Sequence, residues 1–554
     1  MNPDVPKGKG EGSPASHGSA LPALAPEERR WLVAALGFAL LTDLAHLLTW
    51  PLLPVDETRY LSVAWEMWLR HEWLVPHLNG ALYTDKPPLL FWLVHLGWAV
   101  AGVNDVWPRM ISGLAACAAL WLTARLGRAL WPQQAPASAG AWILATCGLW
   151  FVWTGLVMFD LLLTVFVLLG WNALVVPPLG RGRWFWWTMA VAGGMLTKGP
   201  VVLLFLLPPA VLVRWWDPVQ QGLSWHLRWL AATVAGLALV LLWFVPAILH
   251  AGWDYGRAIG LDQTAGRVVR SYAHRRPIGW YVPLIPLLTL PWSLWLPAYR
   301  RAEGTGAGAP DPGLRFLYTA TIPAFVLLNC ISGKQVHYLL PLFPALALIF
   351  ARRAQQVGLR LSRAWPWAWT VLFLLPLAAW WAFQAVPLWQ PWRDWAAGVP
   401  WWSPAAAAGI GCALGFLSRA RPGPGIQHWA LGAGLGLGLL CMGAGLTLRE
   451  HFELGPLARE VQSLQQKNLP VAWVGRYQGE LGFLGRLRQP LTTLRPDEVS
   501  DWARTHPDGL FLVPFRVKSG RAVPGHVGGY RVGERIVELR RANELVGEQL
   551  KSGA

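Results

Sequence analysis

Apolar segments of about 20 residues, separated by short turns carrying clustered Arg and Lys, recur along most of the chain, and this repeat constrains the fold more than any other feature. The long runs lie near 31–50, 110–130, 139–158, 160–178, 229–250, 279–299, 314–331, 365–387, 403–418 and 428–447, with shorter ones at 88–103 and 338–351. Such lengths suit helices that cross a hydrocarbon layer, where a backbone must satisfy its own polar groups. With 54% hydrophobic and only 14% charged residues among 554, the chain is too apolar for a soluble enzyme of this length. We expect an all-α polytopic membrane protein.

The formal net charge of +17 raises the possibility of a nucleic-acid partner, which needs cations along one face or tail. Here they fall between apolar runs instead: "RGR" at 181–183, Arg214 with Arg228, "YRR" at 299–301, "RR…LRLSR" at 352–363 and "SRARP" at 418–422. Such clusters mark cytoplasmic turns, so the charge reads as topology and nucleic acid is excluded. Counting from Arg181, segment 160–178 runs inward, 139–158 outward and 110–130 inward. Residues 184–213 start and finish beside cytoplasmic clusters, so they are expected to cross twice as short spans, turning outside at "LTKGP" (196–200).

The run at 88–103 cannot cross in this count and is expected to lie in the outer interface. The total is about thirteen spans, an odd number, which leaves the two chain ends on opposite sides. The expected organisation is a disordered cytoplasmic tail at 1–30, a spanning domain at 31–448 with an outer loop at 51–109, and an outer α/β domain at 449–554. In that last part "PVAWVGRYQGELGFL" and "GLFLVPFRV" look like short strands. Its "GELGFL" (479–484) reads as a turn between strand and helix rather than a glycine-rich site. The first run carries Asp43 and His46 and lacks a signal-peptidase site, so it is read as a retained span. Cys117, Cys147, Cys330, Cys412 and Cys441 all lie in apolar runs without metal-type spacing and are read as packing residues. Most of the 39 Trp are expected in interfacial belts.

Against this background "LLPVDETRYLSVAWEMWLRHEW" (52–73) stands out, because Asp56, Glu57 and Arg59 follow directly on a spanning run. Asp56, Arg59, Tyr60 and Val63 are spaced to share one helical face. Downstream, "LYTDKPPLLFW" sets Tyr83, Asp85 and Lys86 ahead of two prolines that fix the backbone. Other outer turns add Asp160 in "VMFDLLLT", Lys198 in "GMLTKGP", and Lys334, His337 and Tyr338 in "SGKQVHYLLPLFP". The loop at 251–278 adds Arg267, Arg270, His274, Arg275 and Arg276. Each alone is an ordinary interfacial anchor or half of an ion pair. Two aspartates and several cations converging on one side of the membrane point further. Lys and Arg holding a phosphate leaving group, with a carboxylate steering the attacking group, is chemistry that such a set can perform.

The motifs "VDETRY", "LYTDKPPLLFWL", "FD" at 159–160, "LTKGP", "HRRPIGWY" and "SGKQVHYLLPLFP", in this order, resemble the bacterial aminoarabinose lipid A transferases and their relatives in the protein-mannosyltransferase superfamily, over roughly 31–350. The resemblance implies the multi-spanning glycosyltransferase C-type fold in the bacterial inner membrane, with the active site and C-terminal domain periplasmic. It implies catalytic roles for Asp56, as base or orienting group, and for Asp160. Arg59, Lys86 and Tyr338 match groups that hold the carrier phosphate, and Tyr83, Lys198 and Lys334 are placed with them on the donor side. The usual acid before "KPP" is Glu, and here it is Asp85; with His274 the resemblance implies a divalent-metal site. Two protein ligands are few for zinc, so no cofactor is taken as required.

The expected activity is transfer of 4-amino-4-deoxy-L-arabinose from an undecaprenyl-phosphate carrier to lipid A by a monomer among membrane lipids. One alternative is a polyprenyl-phosphate-mannose-type transferase acting on protein or another envelope glycan. A different class, a lipid or glycolipid transporter, calls for polar groups and broken helices at the bilayer midplane.

Overall fold

The computed structural model describes residues 21, 23–132, 136–176, 182–220, 222–262, 275–294, 311–357, 365–385, 397–420, 425–516, 529–532 and 535–542. These are mostly helical. Helix α1 (Pro26–Thr49) begins with Pro26, whose missing amide costs nothing in a first turn. It stops where Trp50, restricted by the following Pro51, becomes extended. The chain then makes a polar excursion through α2 (Asp56–Arg70), a short hairpin of β1 (His77–Leu78) with β2 (Ala81–Leu82), and α3 (Leu89–Ala101). Helix α3 has 13 residues. At a rise of 1.5 Å per residue that is about 20 Å, short of a membrane crossing. Its Leu90, Phe91, Val94 and Trp98 pack against Tyr60, Val63, Ala64 and Met67 of α2.

Helix α4 (Val106–Leu130) returns along α1. The apolar stretch read as one span over 139–158 is instead two helices, α5 (Ala137–Ala145) and α6 (Gly148–Thr154), bent by 72°. The break has a local cause. The Thr146 hydroxyl donates back to Trp142 O (2.7 Å), and the Gly148 amide donates to Leu290 O (2.8 Å) rather than to its own helix. Then come α7 (Phe159–Val175), α8 (Gly182–Lys198), α9 (Val201–Val211), α10 (Val213–Trp216), α11 (Leu223–Ala251) and α12 (Trp253–Arg257). The stretch over 184–213, expected to make two short passes, folds as α8 and α9, which turn through Gly199 at φ +73°, a conformation that glycine adopts freely; α9 has 11 residues, fewer than α3.

The expected span at 279–299 is not a continuous helix among the described residues. Only the five-residue α13 (Leu284–Leu288) and a 3₁₀ turn at Trp292–Leu294 form there. Pro277, Pro283, Pro286 and Pro291 each remove an amide donor that a longer helix would need. Beyond it stand α14 (Pro312–Cys330), a 3₁₀ run at Val336–Leu342 leading into α15 (Phe343–Val357), α16 (Trp365–Ala385), α17 (Trp402–Ala420) and α18 (Ile426–Phe452). Among the described residues six helices are long and apolar enough to cross a membrane, or seven if α5 and α6 form one broken span.

The chain ends in a five-stranded sheet of order β4-β3-β5-β7-β6, built from β3 (Val471–Val474), β4 (Thr492–Leu494), β5 (Leu510–Arg516), β6 (Gly529–Val532) and β7 (Arg535–Arg541). Strand β3 runs parallel to β4 and β5, while β7 is antiparallel to β5 and β6. Successive side chains of a strand face opposite ways. Val471 and Trp473 therefore pack with Leu457 and Val461 of α19 (Gly455–Gln466). Ala472 and Val474 pack with Val499 and Ala503 of α20 (Val499–Thr505) on the other face.

Candidate active site

The three charges at the start of α2 separate by direction. Residues one step apart on a helix point about 100° apart, so Asp56 and Glu57 cannot share a task. Asp56 is ion-paired with Arg59, one turn on, and the Tyr60 hydroxyl lies 3.4 Å from Asp56 Oδ1 as a donor. Glu57 turns inward and is 2% exposed. Its Oε2 accepts the Leu53 amide (2.9 Å) and its Oε1 accepts the Val157 amide (2.9 Å). Arg109 Nε is 3.8 Å away, and the same guanidinium donates to Trp50 O (2.9 Å) and Pro51 O (2.5 Å). Burial pushes the Glu57 carboxyl above the usual carboxylate range, and Arg109 and the two amides pull against it. Glu57 thus ties the α1–α2 link, the α6–α7 link and the entry to α4 together behind Asp56.

The α6–α7 link delivers Phe159 and Asp160 to the same place. Phe159 is a hub: Tyr60 meets it edge-on at 4.9 Å, Phe91 at 5.7 Å, and Lys86 Nζ lies 5.9 Å from its ring centre. Next in the chain, Asp160 is 2% exposed. It stands in the first turn of α7 and Lys198 in the last turn of α8, the ends at which helix dipoles favour an acid and a base. Lys198 Nζ reaches Asp160 Oδ1 at 2.5 Å and also lies 4.7 Å from the centre of the Tyr338 ring. His337 Nε2 is 3.9 Å from Asp160 Oδ2. Five separate stretches of sequence therefore supply one polar group at one end of the helical bundle.

Asp56, Arg59, Lys86, Asp160, Lys198 and Tyr338 all belong to this end. Tyr83 is buried beside it, its ring 6.3 Å from that of Phe91. Lys334 departs from expectation: its ammonium donates to Arg276 O (3.1 Å) and to Ile331 O, not toward the Asp160 group. It closes the contact in which the Arg276 amide donates to Ser332 O (3.2 Å) and Arg275 pairs with Gly333. Asp85 sits in the turn before Lys86, whereas its expected partner His274 lies outside the described residues, as do Arg267 and Arg270. Among the described residues no three His, Cys, Asp or Glu side chains gather as a metal site would require.

Two features escaped the sequence reading. Glu57 and Arg109 carry the scaffold, and the signal for them was a second acid beside Asp56 and a lone arginine at the mouth of an apolar run. His337 was seen in its motif but not as a neighbour of Asp160. Chemically, Arg59, Lys86 and Lys198 set three cations against the two carboxylates of Asp56 and Asp160. Cations set among aromatic rings in this way suit a phosphate group that gains charge as it leaves.

Fold and site together define a polytopic membrane protein with a cationic, carboxylate-bearing centre at one end of its bundle, and that class is met by known proteins. The family model for dolichyl-phosphate-mannose-protein mannosyltransferase matches residues 85–250. The undecaprenyl phosphate-alpha-4-amino-4-deoxy-L-arabinose arabinosyl transferase 1 of Pseudomonas fluorescens is 29% identical over 355 residues, 62% of this chain and 61% of that protein. The corresponding transferase of Pseudomonas aeruginosa PAO1 is 31% identical over 341 residues, 59% of each chain. The chain thus spans about three fifths of the length of the curated relatives it matches. Its fold is that of ArnT from Cupriavidus metallidurans. The crystal structure of ArnT bound to undecaprenyl phosphate superposes with a TM-score of 0.72 at 19% identity, covering 94% of this chain and 99% of that one. The apo form gives the same TM-score at 17% identity. The resemblance carried by the motifs is therefore matched by relatives over about three fifths of the chain and by a fold over nearly all of it.

Proposed function

We propose that the chain is a glycosyltransferase that moves 4-amino-4-deoxy-L-arabinose from undecaprenyl phosphate to lipid A at the periplasmic face of the inner membrane. The observation that carries this reading is the convergence of Asp56 and Arg59 from α2, Lys86 from the loop before α3, and the Asp160–Lys198 pair beside Tyr338. The names of the relatives supply the sugar and the carrier. In this reading the spanning part runs from 31 to 448, crosses about thirteen times with the N-terminus cytoplasmic, and leaves 449–554 as a periplasmic α/β domain.

The reaction is a displacement at the anomeric carbon. The bond from that carbon to the carrier phosphate oxygen breaks with its electron pair going to the phosphate, and a new bond forms from an acceptor oxygen on the opposite face, with inversion. Arg59 and Lys86 stabilise the charge that develops on the departing phosphate, a contribution of about 3 kcal/mol per well-placed donor. Lys198 supports the same charge while Asp160 fixes its position and the Tyr338 ring flanks it. A lipid A phosphate is already anionic, so it needs no base. Asp56, held by Arg59 and Tyr60, then orients the group it faces, whereas a hydroxyl acceptor would require Asp56 to take a proton. The match of residues 85–250 to protein mannosyltransferases keeps a protein or glycan acceptor as the second reading.

The test is a reaction of the purified protein with the synthetic undecaprenyl-phosphate-linked aminopentose and lipid A. The expected result is lipid A heavier by one aminopentose together with free undecaprenyl phosphate. Carrier cleavage without a gain in lipid A mass would move the acceptor to protein or glycan, and an uncleaved carrier would overturn the reading.

A further inference from the structure

The C-terminal sheet unit reaches the candidate site through its loop at 477–483, and we infer that Gln478 is a positioning residue that holds Arg59 in the orientation from which it meets the carrier phosphate. This inference rests on the function proposed above. Gln478 Oε1 accepts a hydrogen bond from one terminal nitrogen of Arg59 (3.3 Å), while the other terminal nitrogen is committed to Asp56. A guanidinium is a planar fork, so two partners at different nitrogens set both its place and its plane. Asp56 lies on the same helix as Arg59 and moves with it. Gln478 is the contact that ties the guanidinium to a separate body.

That body is firmly seated one turn further along α2. The Ser62 hydroxyl donates to Gly479 O (2.7 Å) and accepts from the Phe483 amide (2.9 Å). Phe483, 1% exposed, stacks on Trp98 of α3 at 5.4 Å with ring planes 4° apart. Trp65 Nε1 donates to Leu487 O (2.8 Å), and Asn79 exchanges two hydrogen bonds with the Leu491 backbone, both 2.8 Å. Glu480 accepts the Gln478 amide (2.7 Å) and so fixes the main chain from which the Gln478 side chain extends. The approach is close enough to exclude a side chain between: a Cβ on Gly479 would sit 3.2 Å from Arg59 Cα. The C-terminal unit thereby adds Gln478 to the site.

The experiment measures undecaprenyl phosphate binding and thermal unfolding of the full-length protein in detergent for the parent, Gln478→Ala, Gln478→Glu, Arg59→Ala and the Arg59→Ala/Gln478→Ala double variant. Gln478→Ala is expected to weaken binding about tenfold, as loss of a hydrogen bond to a charged group does, with the unfolding temperature unchanged. In the Arg59→Ala background the same change is expected to have no further effect, since the two substitutions act through one guanidinium. Gln478→Glu keeps the acceptor oxygen and the fold but adds a charge that competes for Arg59, so it is expected to weaken binding at least as much. Additive losses in the double variant, or parental binding by Gln478→Ala, would overturn the inference alone. A parent that binds no undecaprenyl phosphate would overturn the proposed function and this inference with it.

Discussion

At the scale of single residues, the centre depends on charges placed where membrane proteins rarely keep them, and each has a partner that accounts for it. Asp160 neutralises Lys198 in a nearly water-free setting. Asp160→Asn should leave the ammonium unanchored over the Tyr338 ring, and we expect transfer to fall about 10²–10³-fold while the protein remains monodisperse; parental initial rates would contradict this. Glu57→Ala should act on stability rather than rate, because it strips the acceptor from the Leu53 and Val157 amides and leaves Arg109 buried without its carboxylate. The expected loss is about 3–5 kcal/mol, read as a lower unfolding temperature in detergent. The Asp56–Arg59–Tyr60 face was legible from spacing alone, because its contacts lie within one turn. Lys334 was not, because its partners are main-chain carbonyls, which leave no trace in a residue pattern. Spacing set Asp56 apart from Glu57 but could not show what Glu57 does, since its partner Arg109 lies more than fifty residues away.

At the scale of elements, the site is assembled by ends and breaks of helices rather than by their middles. The 72° bend between α5 and α6 turns the chain toward the link that carries Phe159 and Asp160, and the excursion between α1 and α4 supplies α2 and Lys86. Hydropathy located these segments but not the bend, which depends on a Thr146 back-bond and on an amide captured by Leu290 O. The same limit explains the region after 279, where a window of apolar residues passes for a span but its prolines refuse a helix. The loop at 479–484 does form a turn, but between β3 and β4 rather than between strand and helix as its sequence suggests, and its seat on α2 could not be read from it. Gly479→Ala tests that seat: the residue has φ +86°, and its Cβ would approach Leu78 Cδ1 to 2.8 Å. We expect about 1–3 kcal/mol of destabilisation and faster hydrogen exchange at both 59–62 and 477–483, whereas unchanged exchange would show that the loop does not need this approach.

At the scale of the whole molecule, the alternation of apolar runs with basic turns gave the class, because lipid solvation acts on segments irrespective of detailed packing, and it implies a direction for the chain. The orientation inferred from it is open to direct test. Alkaline phosphatase fused after the last residue should be active in cells, and the same enzyme fused at the Arg214–Arg228 turn inactive; the reverse pattern would invert the topology. What the pattern could not supply was the meeting of α2, α7, α8 and the 336–342 run at one point, which only three-dimensional packing creates. The claim that this point transfers a carrier-linked aminopentose to lipid A is tested most directly by lipid A masses from a Gram-negative host that makes the carrier-linked sugar but lacks its own transferase. The account predicts a gain of one aminopentose with the parent chain and none with Asp56→Asn at equal membrane abundance; an unmodified lipid A in cells carrying correctly inserted parent protein would contradict it.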